Sequence, residues 1–417
     1  MIPPAPEPAS PDAHVLIVGA GHAGGAVAIA LRQAGFGGPI TLVGEEPAAP
    51  YQRPPLSKAW LKGEADGDSL LLKPLDWYAR NGVDLRLQTR VERLDLAAGR
   101  AAVGGGRAIG FDRLVLATGA RARRLQIPGA DLYGVLALRD MADAEALKAT
   151  LAPGRTLAVI GGGYVGLECA ASARALGAEA VVLERAPRLL ARVACEELSA
   201  FYTAQHLAHG VRIELGADII GLEAADGRVA GVRLADGRVI ACEAALLGVG
   251  AQPNVELAQA AGLACDDGVI VDEHAHTSDP RVFAVGDVSR RPLPQYGQLH
   301  RLESVPSALE QARQVAAVLT GGTPPTIEAP WFWSDQYDLK LQIAGLPLDC
   351  DARVVRGDPQ AARFSIFHLH GGAVRAVETV NAPADFMAAR KLIASGVPVD
   401  PAALGDPATP LKALLAA

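Results

Sequence analysis

An α/β protein built on two Rossmann-like units is what this 417-residue sequence predicts, and three observations carry that expectation. The pattern G-x-G-x-x-G occurs twice, from Gly19 to Gly24 and from Gly161 to Gly166. Each copy follows a short apolar run rich in β-branched residues and precedes an alanine-bearing helical stretch. Each is then followed by a second apolar run ending in a glutamate: Glu45 comes 26 positions after Gly19, and Glu184 comes 23 after Gly161. A lone glycine pattern is often only a turn. Two copies in the strand–turn–helix context, each with its acid, point to phosphate and ribose recognition.

Taken in chain order, HVLIV at His14 to Val18 reads as a buried parallel strand, and Gly19, Gly21 and Gly24 form the turn into a helix. The first two glycines leave room for a tight turn and a pyrophosphate, and the third lets helix and strand pack closely. The helix start offers free N–H groups and about half a positive charge to that phosphate. ITLVG then leads to Glu45, whose carboxylate can accept both ribose hydroxyls. The unit recurs as TLAVI, Gly161, Gly163 and Gly166, then AVVLE ending at Glu184. Two like charges about 4 Å apart repel by about 4 kcal/mol at an effective dielectric near 20, so Glu184 disfavours a 2′-phosphate and selects NADH over NADPH. Arg185 beside it softens that preference. Farther on, TSDPRVFAVGD ends an apolar strand in a glycine turn that presents Asp287 at the strand's carboxyl end, where α/β sheets bind ligands.

The length suits two to three domains, and half of the residues are hydrophobic, enough for large cores. No run approaches the roughly 18 apolar residues of a membrane helix. The proline-rich start, MIPPAPEPASP, lacks a basic n-region and an apolar h-region, so a cytoplasmic chain with a loose start is expected. Five scattered cysteines without a C-x-x-C suit a reducing compartment and argue against a structural metal. A net charge of −7 argues against nucleic acid as the main partner, since phosphate binding calls for a basic surface. His274 and His276 share a strand face by period but have no third ligand nearby in sequence, and His206 and His209 fall on a polar helical stretch read as solvated.

With LVLATGA at Leu114 to Ala120 and LLGVGAQPN at Leu246 to Asn254, these segments resemble the two-dinucleotide flavoprotein disulfide-reductase superfamily. The resemblance implies a glutathione reductase-like arrangement. The first fingerprint holds FAD, the second holds the nicotinamide nucleotide, and Asp287 binds the flavin ribityl chain. The FAD domain is then split, with boundaries at 12–120 and 255–325, the NAD domain covers 121–254, and a C-terminal α+β domain covers 326–417. In that superfamily the stretch after the second FAD strand carries the thiols of disulfide reductases and peroxidases. Here it reads APYQRPPLSKAWLKGE and has no cysteine, while Cys169 lies among helix alanines as a buried core residue. Electrons must leave without a thiol.

RPPLSK at Arg53 to Lys58, ESVPSALEQAR at Glu303 to Arg313 and PWFWSDQYDLKLQIAGL at Pro330 to Leu346 resemble the putidaredoxin reductase-like family of NADH:ferredoxin reductases. That family passes electrons from NADH through FAD to a two-iron ferredoxin, which docks transiently and serves a haem monooxygenase or a ring-hydroxylating dioxygenase; ESVPSALE favours the monooxygenase branch. The family's flavin-side lysine maps onto Lys58 and its carboxylate partner onto Glu168, the expected catalytic pair. Its FAD contacts map onto Gly19, Gly21, Ala23, Gly24, Glu45, Arg53, Lys58, Val91, Ala117, Thr118, Gly119, Arg139, Asp287 and Val305. NAD contacts map onto Gly161, Gly163, Tyr164, Gly166, Glu184 and Gly250. Tyr164 is placed over the flavin face, and no metal is expected. Trp331 and Trp333 alternate, so one should face the core. Arg290, Arg291, Arg301, Arg313, Lys340, Arg390 and Lys391 are the candidates for a basic patch toward an acidic ferredoxin. The rival readings are a rubredoxin, quinone or other small-acceptor NADH reductase and, in a different class, an apoptosis-inducing-factor-like flavin signalling or DNA-binding protein.

Overall fold

The computed structural model describes Ser10 and residues 12–415; the rest of the proline-rich start lies outside the described residues. The chain divides into two compact units, and each is built on a five-stranded parallel sheet.

One unit comprises the described residues up to Gln52 together with Gly67–Arg121 and Gln252–Trp331. Its sheet runs, edge to edge, Val282–Ala284, Arg113–Leu116, Val15–Val18, Ile40–Val43 and Val83–Arg86. All neighbouring pairs are parallel. The central strand is fully buried because both its faces are covered. Val15 and Ile17 pack with the helices His22–Gln33 and Val305–Thr320 through Leu31, Val315 and Leu319. Leu16 and Val18 pack on the other side with Leu94, Ala101 and Ile109 of the antiparallel strands Val91–Asp95, Arg100–Val103 and Arg107–Gly110. A parallel sheet buried on both faces reads as an unbroken apolar run rather than an alternating one, which is why HVLIV is legible as a strand. Val282–Ala284 joins this sheet although it lies more than 160 positions after its neighbour Arg113–Leu116.

The other unit comprises Arg53–Asp66, Ala122–Ala251 and the described residues from Phe332 onward. Its parallel sheet runs Arg212–Leu215, Glu179–Glu184, Thr156–Ile160, Ala244–Leu247 and Val135–Leu136. The helix Tyr164–Ala175 follows the second glycine turn, and its Leu167, Ala170 and Ala173 enter the core with Leu157, Val159 and Val182. The C-terminal segment adds a sheet in the order Trp331–Gln336, Leu339–Gly345, Ala373–Val380, Arg363–His370 and Ala352–Asp358, with the helix Pro383–Ser395. Phe364 and Ile366 share a core cluster with Leu198 and Tyr202. Among the described residues, no helix is long and apolar enough to cross a membrane. Trp331 and Trp333 are both half-buried rather than divided between core and surface.

Candidate cofactor and redox site

The two glycine turns share one geometry. Gly19 and Gly161 both take positive φ, +112° and +107°. A Cβ on Gly19 would lie 2.2 Å from the Ala117 carbonyl oxygen, and one on Gly161 would lie 2.5 Å from that of Gly248. The third glycines sit against the first: a Cβ on Gly24 would come within 1.9 Å of the Gly19 carbonyl, and one on Gly166 within 2.6 Å of the Gly161 carbonyl. Only hydrogen fits at these four positions, so strand, turn and helix stay in close register. Gly163 differs. A Cβ there would meet no atom within 4 Å, and its φ of −84° is open to any residue. Packing within the protein does not explain this glycine.

Gly21 and Gly163 cap the helices His22–Gln33 and Tyr164–Ala175, and neither cap receives a side-chain hydrogen bond. No acidic residue occupies the first turn of either helix. Both termini therefore direct backbone N–H groups and the positive end of the dipole outward, which fits the pyrophosphate of a dinucleotide. Glu45 lies two residues beyond the strand Ile40–Val43, exposed and 3.6 Å from Arg90. Glu184 is more tightly held: its carboxylate accepts N–H groups from Gly162 at 2.7 Å and from Ala186 at 2.7 Å. Two fixed hydrogen bonds orient the carboxylate. Gly250 takes φ +100° and is exposed.

In the first unit, Gly286 takes φ +72°, and its added Cβ would lie 2.7 Å from that of Ala23. This contact sets Asp287 next to the first glycine turn, which joins residues more than 260 positions apart. Buried Gln311 steadies the bend by accepting the Gly286 N–H at 2.8 Å. Thr118 and Asn254 bridge their chains reciprocally: the Thr118 hydroxyl donates to the Asn254 carbonyl, and the Asn254 amide donates to the Thr118 carbonyl, each at 2.8 Å. Ala117 is buried, Gly119 takes φ +63°, and Val91 and Val305 are half-buried at the starts of their strand and helix.

The second unit holds a charged network. Glu168 is only 5% exposed on the helix after the second turn, yet its carboxylate is fully engaged. One oxygen accepts from Ser57 Oγ at 2.5 Å and from Lys58 Nζ at 2.6 Å; the other accepts from Ser334 Oγ at 2.6 Å. Lys58 Nζ also donates to the Pro54 carbonyl at 3.1 Å. The Pro54–Ser57 turn supplies this register, because proline presets φ for the first helical position. Ser172 Oγ donates to the Ser57 carbonyl at 2.7 Å and pins the turn to the helix. Arg53 donates to the Arg139 carbonyl at 2.7 Å. Ser57, Ser172 and Ser334 escape sequence reading, since isolated serines carry no spacing signal.

Tyr164 is half-buried, its hydroxyl donates to the Val193 carbonyl at 3.2 Å, and its ring meets Phe332 edge-on. Burial pushes its phenol far above the usual range. Cys169 is fully buried, and burial raises its thiol so strongly that no thiolate is available for exchange.

Two sequence readings are corrected. Arg291 is no surface docking residue: it is buried and paired with Glu310 at 2.6 Å. Arg290 and Arg301 are likewise engaged by Asp266 and Glu303. Arg313, Lys340 and Lys391 are exposed. His206 is not solvated but wholly buried, bonded to Gln336 at 2.8 Å and to the Tyr337 hydroxyl at 2.9 Å. A helix that packs on the C-terminal sheet buries polar groups that the helical pattern alone reads as exposed. His276 lies 3.4 Å from Asp272 and packs its ring on Phe283. The structure also gathers Cys195, His368 and Glu378, a group that sequence spacing does not show.

Comparison with known proteins agrees with this architecture. The family model for pyridine nucleotide-disulphide oxidoreductases matches residues 13–312, and the reductase C-terminal model matches residues 331–415. The chain is 47% identical to a probable ferredoxin reductase of Castellaniella defragrans, over 96% of this chain and 98% of that one. It is 42% identical to the putidaredoxin reductase of Pseudomonas putida, over 97% of each. Its structure superposes on the reductase chain of a covalent putidaredoxin reductase–putidaredoxin complex with a TM-score of 0.94, covering 97% of this chain and 98% of that one. The chain thus belongs to the pyridine nucleotide-disulphide oxidoreductase family as an FAD- and NADH-using oxidoreductase of its putidaredoxin reductase-like branch.

Proposed function

We propose that this chain takes electrons from NADH, by way of FAD, and delivers them to a two-iron ferredoxin that serves a haem monooxygenase. The observation that carries the reading is on Arg53–Asp66: where thiol-dependent relatives carry cysteine, this segment has none, and it presents Lys58 on the Glu168 carboxylate instead. When bound, FAD would supply hydride acceptance from NADH together with one-electron release, which a one-electron ferredoxin requires. The chain's own part is position and charge. The helix starts at Gly21 and Gly163 bind the two pyrophosphates, Glu45 and Glu184 hold ribose hydroxyls, and Asp287 holds the ribityl chain. Gly19, Ala23, Gly24, Arg53, Val91, Ala117, Thr118, Gly119, Arg139 and Val305 complete the FAD contacts; Gly161, Tyr164, Gly166 and Gly250 complete those to NAD. Lys58 supplies a fixed positive charge that favours the more negative, reduced flavin, and Glu168 with its two serines keeps the ammonium in place.

The functional division assigns 12–120 and 255–325 to FAD, 121–254 to NAD and 326–417 to the C-terminal domain. The ferredoxin docks transiently through charge, in the cytoplasm where NADH is made, with neither nucleic acid nor membrane as partner. The choice of monooxygenase over dioxygenase rests on ESVPSALE, which opens the helix Val305–Thr320. The test is anaerobic flavin bleaching by NADH, followed by steady-state turnover with purified two-iron ferredoxin, rubredoxin and quinone as acceptors. Turnover highest with the ferredoxin, and haem monooxygenation when that ferredoxin is coupled to its oxygenase, supports the reading. Faster turnover with rubredoxin or quinone overturns it.

A further inference from the structure

Cys195, His368 and Glu378 come from three elements that meet only in the folded chain. Cys195 caps the helix Glu196–Ala208. His368 and Glu378 lie on paired antiparallel strands, where Glu378 is opposite Ile366 and His368 is opposite Ala376. Two residues apart in register, their side chains share one face. The ladder slips just after His368, and such a bulge re-aims the neighbouring side chain. All three residues are buried, with Glu378 1% exposed, His368 4% and Cys195 7%. The Cys195 thiol donates to one Glu378 oxygen at 2.7 Å, and its backbone N–H donates to the other at 3.0 Å. His368 Nε2 lies 3.4 Å from the same oxygen as the thiol and has no hydrogen-bond partner. One donor atom from each residue falls within 4.8 Å of the other two.

Such an arrangement is costly as a purely organic cluster. A carboxylate at this depth needs compensating charge, and the ion-pair partner beside it is a histidine, charged only when protonated. The imidazole nitrogen facing the carboxylate is left unsatisfied, which costs about 1–3 kcal/mol. A dication removes both penalties. Thiolate and carboxylate together balance its charge, and the imidazole lone pair gains a partner.

We propose that Cys195, His368 and Glu378 form a binding site for a divalent transition-metal ion, zinc by its chemistry. Sulfur, nitrogen and oxygen donors in one set suit a borderline-soft ion, whereas magnesium and calcium prefer oxygen alone. On binding, the Cys195 S–H bond breaks, the proton goes to solvent, and the sulfur lone pair forms the metal bond. Three protein ligands leave a fourth tetrahedral position. The metal clamps the start of the helix Glu196–Ala208 to the C-terminal sheet. It also stiffens the turn two residues earlier, where Val193 accepts the Tyr164 hydroxyl.

The test uses the full-length flavoprotein, stripped with a chelator and titrated with zinc against a competing chromophoric indicator, then with cobalt(II) as a spectroscopic probe. The expected result is one zinc per chain, release of a proton, and a cobalt complex with a thiolate charge-transfer band and the intense d–d bands of tetrahedral geometry. Cys195→Ser should abolish the charge-transfer band and weaken zinc by more than the roughly 10–100-fold that loss of a supporting partner costs. His368→Gln should weaken zinc to a similar degree. Wild-type protein that takes up no stoichiometric metal, or whose cobalt spectrum lacks the thiolate band, overturns the proposal without any variant. Unchanged affinity in a flavin-loaded Cys195→Ser or His368→Gln chain overturns it as well.

Discussion

Lys58 Nζ rests 2.6 Å from Glu168 Oε2, and the carboxylate it meets is 95% buried yet saturated by two serine hydroxyls besides. An ion pair this enclosed adds little net stability but is costly to break from one side. Lys58→Met, which strands the carboxylate, should destabilise the fold by about 3–5 kcal/mol. Glu168→Gln leaves no buried anion and should be milder. Lys58→Met should also lower the flavin midpoint potential and slow reduction by NADH, whereas Glu168→Gln, which removes an anion and leaves the ammonium, should not lower that potential. Denaturant titration with anaerobic stopped-flow reads both, and a Lys58→Met/Glu168→Gln chain less stable than Lys58→Met by the full cost of Glu168→Gln alone would show the two residues to be uncoupled.

Gly163 and Gly166 separate ligand space from packing space. Gly166→Ala places a Cβ 2.6 Å from the Gly161 carbonyl and should cost about 1–3 kcal/mol of stability. Gly163→Ala meets nothing in the protein, so stability should change by no more than about 1 kcal/mol while KM for NADH rises at least about tenfold. Thermal unfolding and steady-state kinetics on the two variants distinguish these outcomes.

The doubly bonded Glu184 carboxylate should set the preference for NADH. In the native protein kcat/KM should favour NADH over NADPH by more than about tenfold, and Glu184→Ala should erase most of that ratio. Equal efficiency with both nucleotides in the native chain refutes the role.

His206 makes acid stability a local question. Burial lowers its pKa from 6.5 to about 4, so the folded chain holds the ring neutral where the unfolded chain protonates it. The unfolded state therefore binds more protons between those values, and stability present above pH 6.5 should be lost as pH falls toward 4. The loss is on the order of 3 kcal/mol. His206→Gln should flatten this part of the stability–pH curve, measured by urea unfolding across the window.

Arg313 is exposed on the helix Val305–Thr320. Arg313→Glu should slow ferredoxin reduction several-fold at low ionic strength and weaken its salt dependence, with ferricyanide reduction unchanged. Equal loss with both acceptors would speak against a docking role.

The fold class was legible in the sequence because its determinants are local. HVLIV and TLAVI are apolar throughout since a parallel sheet covered on both faces demands it, and each glycine turn is written within six residues. Glu45 and Glu184 follow one strand later, at a distance that the strand–helix–strand unit imposes. What lay beyond sequence was whatever depends on partners brought from afar. The serines that saturate Glu168, the burial of His206, the capture of Arg291 by Glu310, and the meeting of Cys195 with His368 and Glu378 were all decided by tertiary packing. A side chain's charge, exposure and available donors are set by neighbours far away along the chain, 183 positions in the case of Cys195 and Glu378, and no periodicity records them.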